Sequence, residues 1–126
     1  MNAEQTSYSA VLGVVLSNLR KERRIEQGEM AARMGLSQAS YSRLESGKSA
    51  FSIDQMYQAA SALGIDESEI TTRLNSTVIQ LNANGVRVVP QLRGNTTQAK
   101  QESSDVGNFI AGAALGGLLI GLLSRK

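Results

Sequence analysis

The stretch Gln27–Lys48, QGEMAARMGLSQASYSRLESGK, decides the fold. Met30, Ala31 and Met34 stand three and four apart and make one apolar stripe of a short helix over 27–34, with Glu29 and Arg33 left on its wet side. Gly35, directly after the last periodic residue, supplies the left-handed position past the helix end, and Leu36 tucks back as the apolar partner of that cap. Ser37 then caps a second helix, its hydroxyl accepting from a backbone N–H two or three residues on. In this helix Tyr41 and Leu44 point inward at i and i+3, and Ala39 is small enough for close approach. Gln38, Ser42 and Arg43 point outward, and Gly47 after Ser46 closes the helix.

Two short helices about a tight break, the second bare of the Lys and Glu that a surface helix usually carries, have the layout of a DNA-reading head. The segment resembles the helix-turn-helix of the lambda-repressor and Cro-like family, also called the XRE family. The matching residues are Gln27 opening the first helix, Ala31 inside it, Gly35 in the turn, Ser37 as cap and the run Leu44, Glu45, Ser46, Gly47, Lys48. Arg20 stands seven residues before Gln27, as the family pattern has it. The resemblance covers about 11–70 and implies an all-α, five-helix lambda-repressor-like domain that docks its third helix in the major groove of double-stranded DNA. It places Gln38, Ala39, Ser42 and Arg43 at base-facing positions. Gln suits adenine N6 and N7, Arg suits guanine O6 and N7, and Ala39 meets a thymine methyl. Gln27 and Lys48, with Ser40 as a weaker candidate, are expected to hold phosphates. The resemblance also implies a structural ion pair between Arg20 and Glu45.

Composition agrees. A chain of 126 residues holds one small domain plus appendages. With no Cys there is no disulfide framework or thiolate metal site, and with no His the usual catalytic base and zinc ligand are missing. No catalytic residue, metal or cofactor is expected, and an enzyme is disfavoured. Net charge is only +2, so attraction to phosphate must come from local clustering.

Such a cluster precedes the motif. Val11, Leu12, Val15, Leu16 and Leu19 follow the 3.6 period and give a first helix from Ser9 to about Arg23, after a polar, frayed start over 1–7. Arg20, Lys21, Arg23 and Arg24 fall at its C-terminal end, where cations offset the helix dipole. Arg23 and Arg24 read either as a solvated helix end or as phosphate contacts, and the motif that follows at once favours the second.

Beyond Lys48, Ser52 caps a fourth helix over 53–63 whose stripe is Ile53, Met56, Tyr57, Ala60 and Leu63, with Phe51 stapling against it and Gly64 ending it. Asp66 or Ser68 opens a fifth helix on which Ile70, Leu74, Val78 and Leu81 recur at helical spacing to about Ala83. The region 76–89 also reads as a hairpin about Asn84-Gly85, because β-branched residues cluster there. Val86–Val89 is a short strand on either reading. Without a partner in its own chain it would pair with a second subunit, so 85–90 is the expected dimer element beside a domain over 9–84.

Residues 91–105 form a polar linker with little to bury. The last stretch is different. Phe109 to Leu123 has no charged or strongly polar side chain, and from Val106 the span approaches 18 residues, about 27 Å as a helix and near the lower limit for a bilayer. Gly112, Gly116, Gly117 and Gly121 make two small-residue ladders that let helices pack closely in lipid. The favoured reading of 106–124 is a single-pass anchor in a bacterial inner membrane, its lipid partner holding a cytoplasmic DNA-binding head; soluble self-association and a disordered or protease-recognised end are the alternatives. Function follows as a repressor-like, sequence-specific transcriptional regulator, a homodimer on DNA. The rival is an assembly protein that keeps the helix-turn-helix as a docking module.

Overall fold

The computed structural model describes residues 4–90, 110 and 112–123. The chain runs β1 (Glu4–Ser7), α1 (Tyr8–Glu22), α2 (Gln27–Arg33), α3 (Gln38–Glu45), α4 (Ile53–Leu63), α5 (Glu67–Ala83), β2 (Val86–Val89) and α6 (Gly112–Leu123). Local chemistry sets the helix starts. The Ser7 hydroxyl accepts from Ala10 N at 3.0 Å to open α1, and Ser37 accepts from Ser40 N at 3.1 Å to open α3. Ser52 and Gln55 cap α4 reciprocally, each side chain accepting from the other's backbone N–H at 3.0 Å. Gly35, in the turn between α2 and α3, has φ 72°, the left-handed conformation that a side chain resists.

Two apolar clusters share α1. The larger joins Leu16 and Leu19 of α1 to Met30, Ala31, Tyr41, Leu44, Ala60, Leu63 and Ile70, and so binds the first five helices together. Fifteen buried side chains stand in that cluster, which is small enough that each matters to the domain's stability. The second gathers Ala10, Val11 and Val14 with Leu81, Val86, Leu115 and Leu119. Across the surface between α1 and α5, Arg73 bridges to Glu22 at 2.8 Å and holds that carboxyl below the usual carboxylate range.

Three sequence expectations need correction. Residues 4–7 are not frayed. They form β1, which pairs in parallel with β2 in the register Glu4 with Val86 through Ser7 with Val89. The strand expected to lack a partner therefore finds one within its own chain, and the reason given for 85–90 as the dimer element falls away on that edge. The α4 stripe is also turned: Ala59, Ala60, Ala62 and Leu63 are buried, whereas Ile53 and Tyr57 face outward. Small alanines let α4 lie close to its neighbours, so its large apolar residues are not needed inside. Between helix and hairpin over 76–83, the chain takes the helix, because Leu81 seats fully in the second cluster.

The tail also departs from expectation. Its described helix has 12 residues, about 18 Å long, and no helix among the described residues is long and apolar enough to cross a membrane. One face is docked on the domain, with Leu115 and Leu119 buried. Ahead of it Ile110 is tied to β1: Ile110 N donates to Gln5 O at 2.7 Å and the Thr6 hydroxyl donates to Ile110 O. Of the glycine ladder, Gly116 and Gly117 make no close contact, since a Cβ on either would meet open space; Gly112 and Gly121 lie in the same helix. The linker expected over 91–105, and the remaining parts of 106–124, lie outside the described residues.

Candidate nucleic-acid interface

The site is α3 and what holds it. Tyr41, Leu44 and Glu45 face inward and are buried, so the opposite side of the helix is fixed as the presenting face. Gln38, Ala39, Ser40 and Arg43 are exposed there, and Ser42 is half-buried beside them. These are the four residues expected at bases plus Ser40, brought together on one short helix. The Ser40 hydroxyl accepts from Ser37 at 3.0 Å, which keeps it at the helix front.

Glu45 ties the helix down. Arg20 Nε donates to one oxygen of Glu45 at 2.8 Å and Arg20 Nη2 to the other at 3.1 Å, a two-pronged pair with both side chains almost fully buried. Arg20 spends its remaining nitrogen on Ile25 O at 2.9 Å, so the same guanidinium fixes the loop that carries Arg23 and Arg24. The hydrogen bonds to Glu45 raise the Arg20 pKa further and keep it cationic at any accessible pH. Beside the pair, the Tyr41 hydroxyl lies within electrostatic reach of both charges yet is buried without a hydrogen-bond partner of proper geometry. Burial, and then the Glu45 charge, push that phenol well above its ordinary range.

Gln27 does more than the sequence reading gave it. Its Nε2 donates to Glu45 Oε1 at 3.0 Å, and its Oε1 accepts from Gln38 Nε2 at 3.5 Å. It thus links the first residue of α2, the first of α3 and the buried ion pair. Gly28 leaves room for this, because a Cβ there would come within 3.3 Å of Gln38 Oε1. Gly13 was missed altogether: a Cβ on it would lie 2.5 Å from Glu45 O, so α1 and the end of α3 meet backbone to backbone. The available signal was a glycine interrupting an otherwise apolar, periodic helix.

Several exposed cations lie on the elements that carry this face. Arg23 and Arg24 follow α1 in the loop that leads to α2, Arg43 sits on α3 and Lys48 just beyond it, whereas Lys21 lines the groove between α1 and α5. Arg24 takes φ 57°, unusual for a residue with a side chain, in the turn that leads into α2. The carbonyl of Arg43 accepts from both Lys48 N at 2.9 Å and Ser49 N at 3.1 Å, which folds the Lys48 loop back onto the helix that carries Arg43. Arg33 is occupied elsewhere, by Ala62 O at 2.8 Å and Glu29 at 2.6 Å.

A short helix clamped from behind and bare in front, entered through a glycine turn from a bracing helix, defines a helix-turn-helix domain. Known proteins agree. A family model described as Helix-turn-helix matches residues 16–70. The uncharacterized HTH-type transcriptional regulator y4dJ of Sinorhizobium fredii is 34% identical over 67 residues, covering 53% of this chain and 87% of that one. The chain belongs to the XRE-type helix-turn-helix family. Among solved structures, the clp gene regulator ClgR from Corynebacterium glutamicum superposes with a TM-score of 0.58 at 18% identity, over 77% of this chain and 93% of that one. A mutant of the restriction-modification controller protein C.Esp1396I gives 0.56 at 15% identity, over 58% and 95% respectively. At these identities the likeness is one of fold.

Proposed function

We propose that this protein is a transcriptional regulator that binds double-stranded DNA in a sequence-specific way, as a homodimer on paired half-sites. The observation that carries the reading is the single exposed face of α3, where Gln38, Ala39 and Arg43 stand bare while Tyr41, Leu44 and Glu45 lock the helix from behind. Arg43 reads a guanine edge and Gln38 an adenine edge, with Ala39 against a thymine methyl. Lys48, Arg23 and Arg24 lie on phosphates to either side and set register without reading sequence. Gln27 braces Gln38 as well as reaching the backbone, so its role is orientation first. In this reading the C-terminal helix is part of the folded domain rather than a tether.

Selection of bound duplexes from a random pool by the full chain, followed by titration of the winner and a scrambled duplex at several salt concentrations, tests the proposal. A preferred sequence whose affinity falls steeply with salt is the expected result. Equal, weak binding to both duplexes would leave only a charged surface and overturn it.

A further inference from the structure

Among the described residues Gly35, Gly47, Gly64 and Gly85 take positive φ, where a side chain is strained. Gly28 does not. It is the second residue of α2, with the ordinary backbone of a helix, and a glycine there weakens the helix without serving a turn or a cap. What its missing side chain leaves is room. A Cβ on residue 28 would stand 3.3 Å from Gln38 Oε1 and 3.7 Å from Gln38 Cδ. Outside its chain neighbours and the backbone of its own helix, it would meet no other described residue within 4 Å.

The Gln38 carboxamide is oriented by a chain of donors and acceptors that starts at a buried charge. The Glu45 carboxylate can only accept, so Gln27 turns its Nε2 toward it, at 3.0 Å. Gln27 Oε1 is then left to accept from Gln38 Nε2, at 3.5 Å. Gln38 in turn keeps its Oε1 above Gly28, unbonded among the described residues, with the second proton of Nε2 beside it. One acceptor next to one donor is the pair that matches adenine N6 and N7 in the major groove. We infer that Gly28 is a specificity-determining residue, because the space above it is the seat from which Gln38 presents this edge. A side chain there would displace a flexible amide and leave backbone and core in place, so the fold would tolerate what the reading of a base would not. The inference rests on the proposed DNA reading and adds to it a residue that touches no base.

Gly28→Ala and Gly28→Leu in the full chain test it, by binding to the selected duplex, its single-base variants and a scrambled duplex, beside urea unfolding. Both substitutions install a better helix former at a half-buried position, so the unfolding midpoint should hold or rise. The expected result is a graded loss of the preference for adenine at one base position, small for Ala and ~10-fold for Leu, with the scrambled duplex bound as before. Gln38→Ala should relax the same position. Gly28→Leu combined with Gln38→Ala should lose no more than Gln38→Ala alone, since both act through one amide. Additive losses, or a midpoint that falls in both Gly28 variants, overturn the inference. Equal weakening of the selected and scrambled duplexes also overturns it, and would make residue 28 a point where the DNA backbone passes close. The DNA reading fails by a different result: Gln38→Ala without effect on the preference sinks the reading of adenine and this inference with it, whereas an effect of Gln38→Ala unmatched by Gly28→Leu sinks this inference alone.

Discussion

Gly13 and Glu45 meet backbone to backbone, at a spacing where a Cβ on residue 13 would stand 2.5 Å from Glu45 O and 2.7 Å from Leu44 O. The obstacles are backbone carbonyl groups of a helix end, which have nowhere to swing. Gly13→Ala would gain about 1 kcal/mol of helix propensity inside α1. Against this, the new methyl must push α1 and α3 apart across the larger core cluster, a type of overpacking that costs about 1–3 kcal/mol. A net loss of stability is expected in urea unfolding, with weakened DNA binding even where the protein remains folded, because α3 is the element displaced. An unchanged or raised midpoint would show that the two helices can separate freely.

The carboxylate of Glu45 is shared by Arg20 and Gln27, and removing it leaves a buried guanidinium with only Ile25 O. Breaking a buried pair from one side costs about 3–5 kcal/mol, a large part of the stability of a domain this size. Glu45→Ala is therefore expected to unfold the head at ordinary temperature. Arg20→Met with Glu45→Leu removes both charges, and should recover much of the loss because no unpaired ion remains. Thermal unfolding of the three forms checks the order; a double variant less stable than Glu45→Ala would contradict it.

Tyr41 gives a prediction of opposite sign. Its hydroxyl is buried without a partner, so Tyr41→Phe removes a desolvated polar group and should hold or raise stability at pH 7, by about 1 kcal/mol. The pH dependence follows from the raised phenol pKa. Unfolded tyrosine releases its proton near pH ~10 while the folded residue keeps it, so the folded state binds more protons above that point. Stability from this group is complete below pH ~10 and falls at higher pH by about 1.4 kcal/mol per pH unit. The Phe variant should lack that share of the alkaline limb. Urea midpoints of both proteins between neutral and strongly alkaline pH decide the matter.

What could be read from the sequence was local. The five helices and their caps were legible because Ser37, Ser52, Gly35 and Gly64 act on residues two to four positions away, and the presenting face of α3 followed from Tyr41 and Leu44 at helical spacing. Long-range packing was not legible. Residues 4–7 look like a polar end until β2, eighty residues later, offers its edge to them. Ile53 and Tyr57 have the spacing of core residues, and only the close approach permitted by Ala59, Ala60 and Ala62 shows that the core does without them. The tail carries the composition of a lipid-facing helix, yet Val11, Val14 and Leu81 provide a protein surface for Leu115 and Leu119. An apolar helix seeks cover, and its own composition does not say whether lipid or protein supplies it.

Arg43 and Lys48 stand five residues apart, joined through the Arg43 carbonyl that accepts from Lys48 N, yet they are expected to fail differently. Arg43 lies on the exposed face of α3, where a guanidinium can make two parallel bonds to a guanine edge. Arg43→Ala should cost about 1–3 kcal/mol on the selected duplex and relax its preference at one base position. Lys48 is exposed beyond the helix end, where its ammonium meets the backbone of any sequence. Lys48→Ala should weaken the selected and scrambled duplexes alike and reduce the salt slope by about 1, for the one counterion no longer released. Neither substitution touches a buried atom, so both variants should unfold with the wild type. Footprinting across single-base variants of the selected site, repeated at several salt concentrations, separates the two effects. If Arg43→Ala kept the full sequence preference and lost only salt-dependent affinity, Arg43 would be a phosphate contact, and the reading of guanine would pass to another residue of the same face.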